Sequence, residues 1–147
     1  MSDDAKRQQL EMIYENARQS FPEVAEITAE QLMEKRKSQD FVLVDVRQPE
    51  ERAVSMIPGA ITSETFEANP QDYEGKTIIT YCTVGGRSGM YASQLQARGF
   101  NALNFKGSIL AWTHAGGELE STDGPTTRVH TYSKKFNLAA EGYETVW

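Results

Sequence analysis

Cys82 is the only cysteine of the chain, and the residue types around it are those that make a thiol reactive. Thr77-Ile78-Ile79-Thr80-Tyr81 reads as a buried strand, Cys82-Thr83-Val84-Gly85-Gly86-Arg87-Ser88 follows it, and a helical run from Gly89 to Arg98 comes next. A thiol at the carboxyl end of a strand, with small residues leading into a helix, meets backbone N–H groups and the positive end of a helix dipole. That setting favours the thiolate, the nucleophilic form of cysteine. A lone cysteine is commonly inert core filler, because apolar burial favours the neutral thiol. Here Gly85 and Gly86 let the backbone curl its N–H groups inward, and Arg87 adds a permanent cation, so Cys82 is assigned as a nucleophile. Arg87 is expected to hold an anionic substrate, with a structural role bonding loop or strand carbonyls as the alternative. Thr83 and Val84 are expected on the outer rim, and Ser88 is expected to cap the helix while its hydroxyl reaches the sulfur.

Asp45 and Arg47 form a second constellation. An acid at a strand end with an arginine two positions on is suited to bracing loops by charge-assisted hydrogen bonds, and this structural support is preferred to a catalytic carboxylate. Arg47 or Arg52 would add positive potential if either faced the pocket. His114 and His130 are the only histidines, too few to make a metal site with one cysteine, so no metal is assigned.

The 147 residues fit one domain able to bury a core without cross-links. A single cysteine excludes an intramolecular disulfide and a two-cysteine redox cycle within the chain. The formal charge of -6 and the lack of a basic block argue against nucleic acid as a partner. Acids at Asp3 and Asp4 stand where a leader peptide would be basic, and no apolar run approaches the roughly 20 residues of a membrane span. A cytoplasmic protein that does not engage membranes is expected.

The elements that must position Cys82 follow from periodicity. Residues 3–19 place Leu10, Ile13, Tyr14 and Ala17 at helical spacing. A short strand near Val24 to Ile27 precedes a helix capped by Thr28 and Gln31 and running to about Lys37. Phe41 to Val46 is apolar and rich in β-branched residues, as a central parallel strand requires. Gln48-Pro49-Glu50-Glu51 opens a helix. A turn at Ile57-Pro58-Gly59-Ala60-Ile61, a loop through Asn69-Pro70 and Gly75, and the Thr77 to Tyr81 strand come next. Gly99 closes the helix after the cysteine loop, Ala102 to Phe105 is a strand, and Ser108 to Ala115 is a helix in which Trp112 belongs to the core. Asp123-Gly124-Pro125 reads as a turn, and beyond it Val129, Tyr132, Phe136, Leu138, Tyr143 and Trp147 need cover. Docking on the domain is the plain reading of that tail; a subunit or partner contact is the sharper one. Strands alternating with helices imply an α/β fold, with ligands beyond the carboxyl ends of the strands.

Four blocks in this order resemble the rhodanese-like domain family of sulfurtransferases. They are Val42-Leu43-Val44-Asp45-Val46-Arg47 with Pro49-Glu50-Glu51; Ile57-Pro58-Gly59-Ala60-Ile61; Tyr81-Cys82 through Ser88; and Asn104-Phe105-Lys106-Gly107 with Ala111-Trp112. The likeness runs from about Ile27 to Leu119. It departs from the family at Met56, where a histidine is usual, and at the single Gly107, where a glycine pair is frequent. The resemblance implies a three-layer α/β fold with a mostly parallel central sheet and helices on both faces. The single domain would span 1–147, with a core at about 24–120, an N-terminal helical extension at 3–20 and a C-terminal extension at 121–147.

The function implied by the likeness is a sulfurtransferase, with Cys82 carrying sulfur as a persulfide and Thr83, Val84, Gly85, Gly86, Arg87 and Ser88 forming the binding loop. The donor would be thiosulfate or a low-molecular persulfide, and the acceptor cyanide, a thiol or a protein cysteine; no cofactor is implied. From Cys82 to Arg87 there are six positions, one fewer than in the related loops of cysteine phosphatases, and the tighter ring suits one sulfur atom. The alternatives are a cysteine-dependent phosphatase or arsenate reductase, and a non-catalytic interaction module that displays the two extensions. A homo-oligomer formed through those extensions is a further expectation.

Overall fold

Successive strand residues point to opposite faces, and in β2 (Phe41–Asp45) and β4 (Thr77–Tyr81) both faces are apolar. Leu43, Ile79 and Tyr81 join one hydrophobic cluster, whereas Val42, Val44 and Ile78 join another. Strands of this kind are stable only inside a sheet covered on both sides. Ile78 and Ile79 have no exposed surface, so each stabilises the fold by roughly 1.5–3 kcal/mol relative to exposure.

The computed structural model describes residues 1–147. It places these strands in a five-stranded sheet with the order β1-β5-β4-β2-β3, where β1 is Glu26–Ile27, β3 Ile61–Thr62 and β5 Asn101–Phe105. All four pairings are parallel. One face is covered by α1 (Asp3–Ala17), α2 (Ala29–Lys35) and α6 (Ser108–His114), which supply Leu10, Tyr14, Leu32, Ile109 and Trp112. The other is covered by α4 (Ser63–Ala68) and α5 (Gly86–Ala97), which supply Phe66, Ala92 and Leu95. This is the three-layer α/β arrangement expected. No helix is long and apolar enough to cross a membrane.

Both chain ends pack onto this frame. Ser2 caps α1 by accepting from the Ala5 N–H, and Leu10 and Tyr14 of α1 are buried. Beyond the core, β6 (Leu119–Ser121) and β7 (Gly124–Thr126) form a hairpin, and β8 (Arg128–His130) pairs in parallel with β9 (Glu144–Val146). Val129, Leu138 and Ala139 enter the same cluster as Trp112. Polar ties hold the segment down: Ser55 Oγ donates to the Arg128 carbonyl at 2.6 Å, Tyr143 Oη to Gly117 at 2.7 Å, and Lys6 Nζ to Ala139 at 2.9 Å.

Three local expectations need correction. The loop expected after Ile61 contains α4, a six-residue helix whose cap is Thr62, accepting from Thr65 N–H at 3.0 Å; it is too short to leave a periodic signal. Ser121 pairs with Gly124, so the hairpin turn is Thr122-Asp123 and Pro125 is already in a strand. Finally, α5 begins at Gly86, three residues earlier than expected, so Arg87 and Ser88 lie in its first turn.

Candidate active site

Cys82 follows the last residue of β4, the central strand, and is 2% exposed. Its position is set by the turn between β5 and α6. Gly107 and Ser108 both have positive φ, +75° and +51°, and this bend brings Ser108 Oγ to accept from the Cys82 N–H at 3.1 Å. The next two N–H groups of α6, Ile109 and Leu110, donate to the Cys82 and Thr83 carbonyls at 3.2 and 3.3 Å. The start of the cysteine loop is therefore held by a helix end, and the thiol turns toward Gly85.

The Gly85 N–H donates to Cys82 Sγ at 3.2 Å. Gly85 has φ +126°, and a β-carbon there would lie 2.7 Å from a ring carbon of Tyr14, so no other residue fits. Asn104, fully buried on β5, locks this arrangement through Nδ2, which donates to the Gly85 carbonyl at 2.9 Å. Ser88 Oγ lies 3.4 Å from Sγ and 2.7 Å from Asn104 Oδ1. One hydroxyl proton serves one acceptor, and the shorter contact to the amide oxygen takes it. Ser88 Oγ thus lies beside the sulfur while its proton goes to Asn104, and the N-cap of α5 is Gly85, not Ser88.

Arg87 makes its main contacts neither with carbonyls nor with free space. Nη1 donates to Glu51 Oε2 at 2.7 Å, Nη2 to Glu51 Oε1 at 2.9 Å, and Nη2 also to Thr83 Oγ1 at 3.0 Å. Glu51 lies on α3 (Pro49–Val54), is 2% exposed, and also accepts from the Gln48 N–H at 2.9 Å. Burial works to raise its carboxyl, but the bonds from Arg87 and Gln48 and the nearby charge of Arg47 outweigh it and hold the group below the usual range. Over the outer face of Arg87 lies the ring of Tyr132, with its centroid 4.6 Å from Cζ.

Asp45 and Arg47 are almost fully buried and form a bidentate pair, Nε to Oδ1 at 3.0 Å and Nη2 to Oδ2 at 2.8 Å. Tyr81 Oη donates to Asp45 Oδ2 at 2.6 Å and accepts from the Ile57 N–H at 3.1 Å, while Arg47 Nη2 donates to the Ser55 carbonyl at 2.7 Å. The network ties the end of β2 to the 55–57 segment and touches no part of the cysteine cleft. Burial and the Asp45 charge push the Tyr81 hydroxyl well above its ordinary range. Arg52 pairs with Glu64 at 2.7 Å. Neither Arg47 nor Arg52 lines the cleft.

The cleft over Cys82 has a volume of about 180 Å³. A larger one of about 440 Å³ lies between α1 and α6 around Lys106 and His114, away from Cys82. Thr83 and Val84 line the cysteine cleft, yet both are buried rather than on the outer rim. Ile13 and Ala17 of α1, with Tyr132 and Phe136 of the C-terminal segment, form its remaining wall. In sequence, Glu51 is legible as a first-turn acid and Asn104 as a strand residue, each within a family block but with no role at the site, and Tyr132 and Phe136 only as aromatics in need of cover.

Comparison with known proteins agrees with this fold. The model of the Rhodanese-like domain family matches residues 28–115. The uncharacterized protein slr1261 of Synechocystis is 34% identical over 94 residues, covering 61% of this chain and 52% of its own length. A sulfurtransferase from Allochromatium vinosum is 31% identical over 109 residues, covering 69% of this chain and 99% of its own. Among solved structures, a rhodanese-like domain protein from Staphylococcus aureus superposes with a TM-score of 0.58 at 31% identity, covering 67% of this chain and 99% of that one. The chain spans about half of the Synechocystis protein, and 14% of the tRNA sulfurtransferase of Desulfurococcus amylolyticus that it matches at 36% identity over 72 residues. The chain belongs to the rhodanese-like domain family.

Proposed function

We propose that this member of the rhodanese-like domain family is a sulfurtransferase that moves a sulfane sulfur from thiosulfate or a low-molecular persulfide to a thiol or cyanide acceptor through a Cys82 persulfide. The observation that carries the reading is the Gly85 N–H directed at Cys82 Sγ at 3.2 Å within a six-position loop. A donor of this kind stabilises a thiolate before the reaction and a persulfide anion after it. With thiosulfate, the thiolate attacks the outer sulfur, the inner S–S bond breaks, and the electron pair leaves on sulfite. An acceptor thiolate then attacks the terminal sulfur of the persulfide and Cys82 departs as thiolate. Neither step moves an obligatory proton, so no general base is required. Asp45 and Arg47 brace the loops behind the site; Thr83, Val84, Gly86, Arg87 and Ser88 shape it.

The test is intact-mass measurement after incubation with thiosulfate or a persulfide. The wild type should gain one sulfur and lose it to an acceptor thiol, and Cys82→Ser should gain none. If no sulfane donor leaves a sulfur on the wild type, the reading fails. Cys82-dependent turnover of an aryl phosphate would replace it with phosphatase chemistry.

A further inference from the structure

We propose that Tyr132, which lies outside the family-matched residues, determines substrate selectivity at Cys82, turning the cleft toward uncharged organic persulfides and away from small dianions such as thiosulfate. The choice of substrates rests on the sulfur-transfer reading; the direction of the preference rests on the geometry of the cleft alone.

Arg87 is the one cation among the residues that line the cleft, and its charge is already answered. Both terminal nitrogens bond Glu51, at 2.7 and 2.9 Å. The Tyr132 ring covers the guanidinium, 4.6 Å from Cζ, so an entering dianion meets an aromatic face in front of a neutral ion pair. Phe136 stacks on Tyr132 with ring centroids 6.1 Å apart, and Ile13 of α1 lines the same cleft. An organic group leaving water gains by burial against these walls, while a dianion loses hydration with no free cation to replace it. The volume of about 180 Å³ equals about six water volumes at ~30 Å³ each, room for a short organic group beside the sulfur.

The backbone supports the assignment independently. Tyr132 has φ +74°, a region that bulky side chains rarely occupy and that persists only where the surroundings impose it. Its N–H donates to His130 Nδ1 at 3.0 Å, and the preceding Thr131 is fully buried with Oγ1 donating to the Ser133 carbonyl at 3.1 Å. The strained turn holds the ring over Arg87 although the residue is 54% exposed. In the favoured reaction the Cys82 thiolate attacks the outer sulfur of R–S–SH, a Cys82–S–SH bond forms as the inner S–S bond breaks, and the electron pair leaves on R–S⁻. No oxidant or reductant is consumed.

The experiment compares two reagents of identical thiol chemistry, benzyl methanethiosulfonate and the anionic 2-sulfonatoethyl methanethiosulfonate. Each couples R–S to Cys82 and releases methanesulfinate, and each rate is divided by the rate with free 2-mercaptoethanol. The wild type should favour the benzyl reagent. Tyr132→Gly removes the ring and places at φ +74° the residue most at ease there, so loss of fold does not confound it. The preference should then drop roughly three- to tenfold, the span of a partly exposed cation–π and apolar contact, whereas Tyr132→Phe keeps the ring and should keep the preference. An unchanged preference in Tyr132→Gly, or none in the wild type, overturns the inference. In parallel, loading by thiosulfate and by benzyl persulfide is read by intact mass. If the reagent preference shifts but no donor loads Cys82, selectivity stands and sulfur transfer falls; if donors load and the preference does not shift, the reverse holds.

Discussion

Gly85→Ala tests whether the loop is shaped by contact with the N-terminal helix. At φ +126° the backbone is in a region that an L-residue enters at a cost of about 1–2 kcal/mol. The added β-carbon would sit 2.7 and 2.8 Å from two Tyr14 ring carbons, where about 3.5–4.0 Å is the favourable separation. Tyr14 cannot swing clear: it is 1% exposed, its hydroxyl donates to Glu26 Oε2 at 2.5 Å, and Asn104 Nδ2 reaches it at 3.4 Å. Overpacking of this kind adds about 1–3 kcal/mol. The combined loss is about 2–5 kcal/mol, a large part of the 5–15 kcal/mol typical of a domain. Sulfur transfer should fall further than stability implies, because a misplaced Gly85 N–H no longer meets Sγ; losing one such donor costs about 100- to 1,000-fold. Urea unfolding followed by tryptophan fluorescence measures the first effect, and the rate of Cys82 persulfidation in the folded protein measures the second. Adding Tyr14→Ala should recover about 1–3 kcal/mol relative to additivity, since the overlap vanishes while the strained φ remains. A Gly85→Ala protein within about 0.5 kcal/mol of wild type, the range of a neutral surface change, or a cycle with no coupling, would refute the reasoning.

Asp45→Asn should destabilise the chain by about 3–5 kcal/mol in urea, because it leaves Arg47 charged, buried and unpaired; a loss below about 1 kcal/mol, the scale of an exposed pair, would show that the network does not brace the fold. Glu51 is held below its ordinary value of 4.5, so its contribution to stability is complete above that pH and declines as the pH falls through the lowered value. Glu51→Gln should therefore show a flatter decline of urea midpoint on acidification than wild type, and parallel declines would remove Glu51 from the acid response.

Much of the frame was legible because it depends on near neighbours in the chain. The apolar, β-branched runs of Phe41–Asp45 and Thr77–Tyr81, the Thr28–Gln31 capping box, and glycine at the end of α5 each involve residues a few positions apart. The same locality located Cys82 at a strand end and joined Asp45 to Arg47 two positions on. Short elements escaped for the complementary reason: α4, with six residues, contributes only Phe66 to its cluster, too little for a period to register.

The surroundings of the thiol depended on distances that local pattern does not encode. Glu51 meets Arg87 across 36 positions because α3 and α5 follow the carboxyl ends of β2 and β4, which are neighbours in the sheet. Tyr132 covers Arg87 because the tail is drawn in by Val129 and Leu138, whose burial in the main cluster outweighs a strained φ at one residue. Ser88 moved from the helix cap into its first turn once Gly85, at φ +126°, supplied the bend. By itself, then, the sequence determined the lone cysteine, the six-position loop and the strand that presents it, since each is a property of adjacent residues. Tertiary packing alone decided what neutralises the arginine and what walls the cleft, since each depends on how separate elements meet.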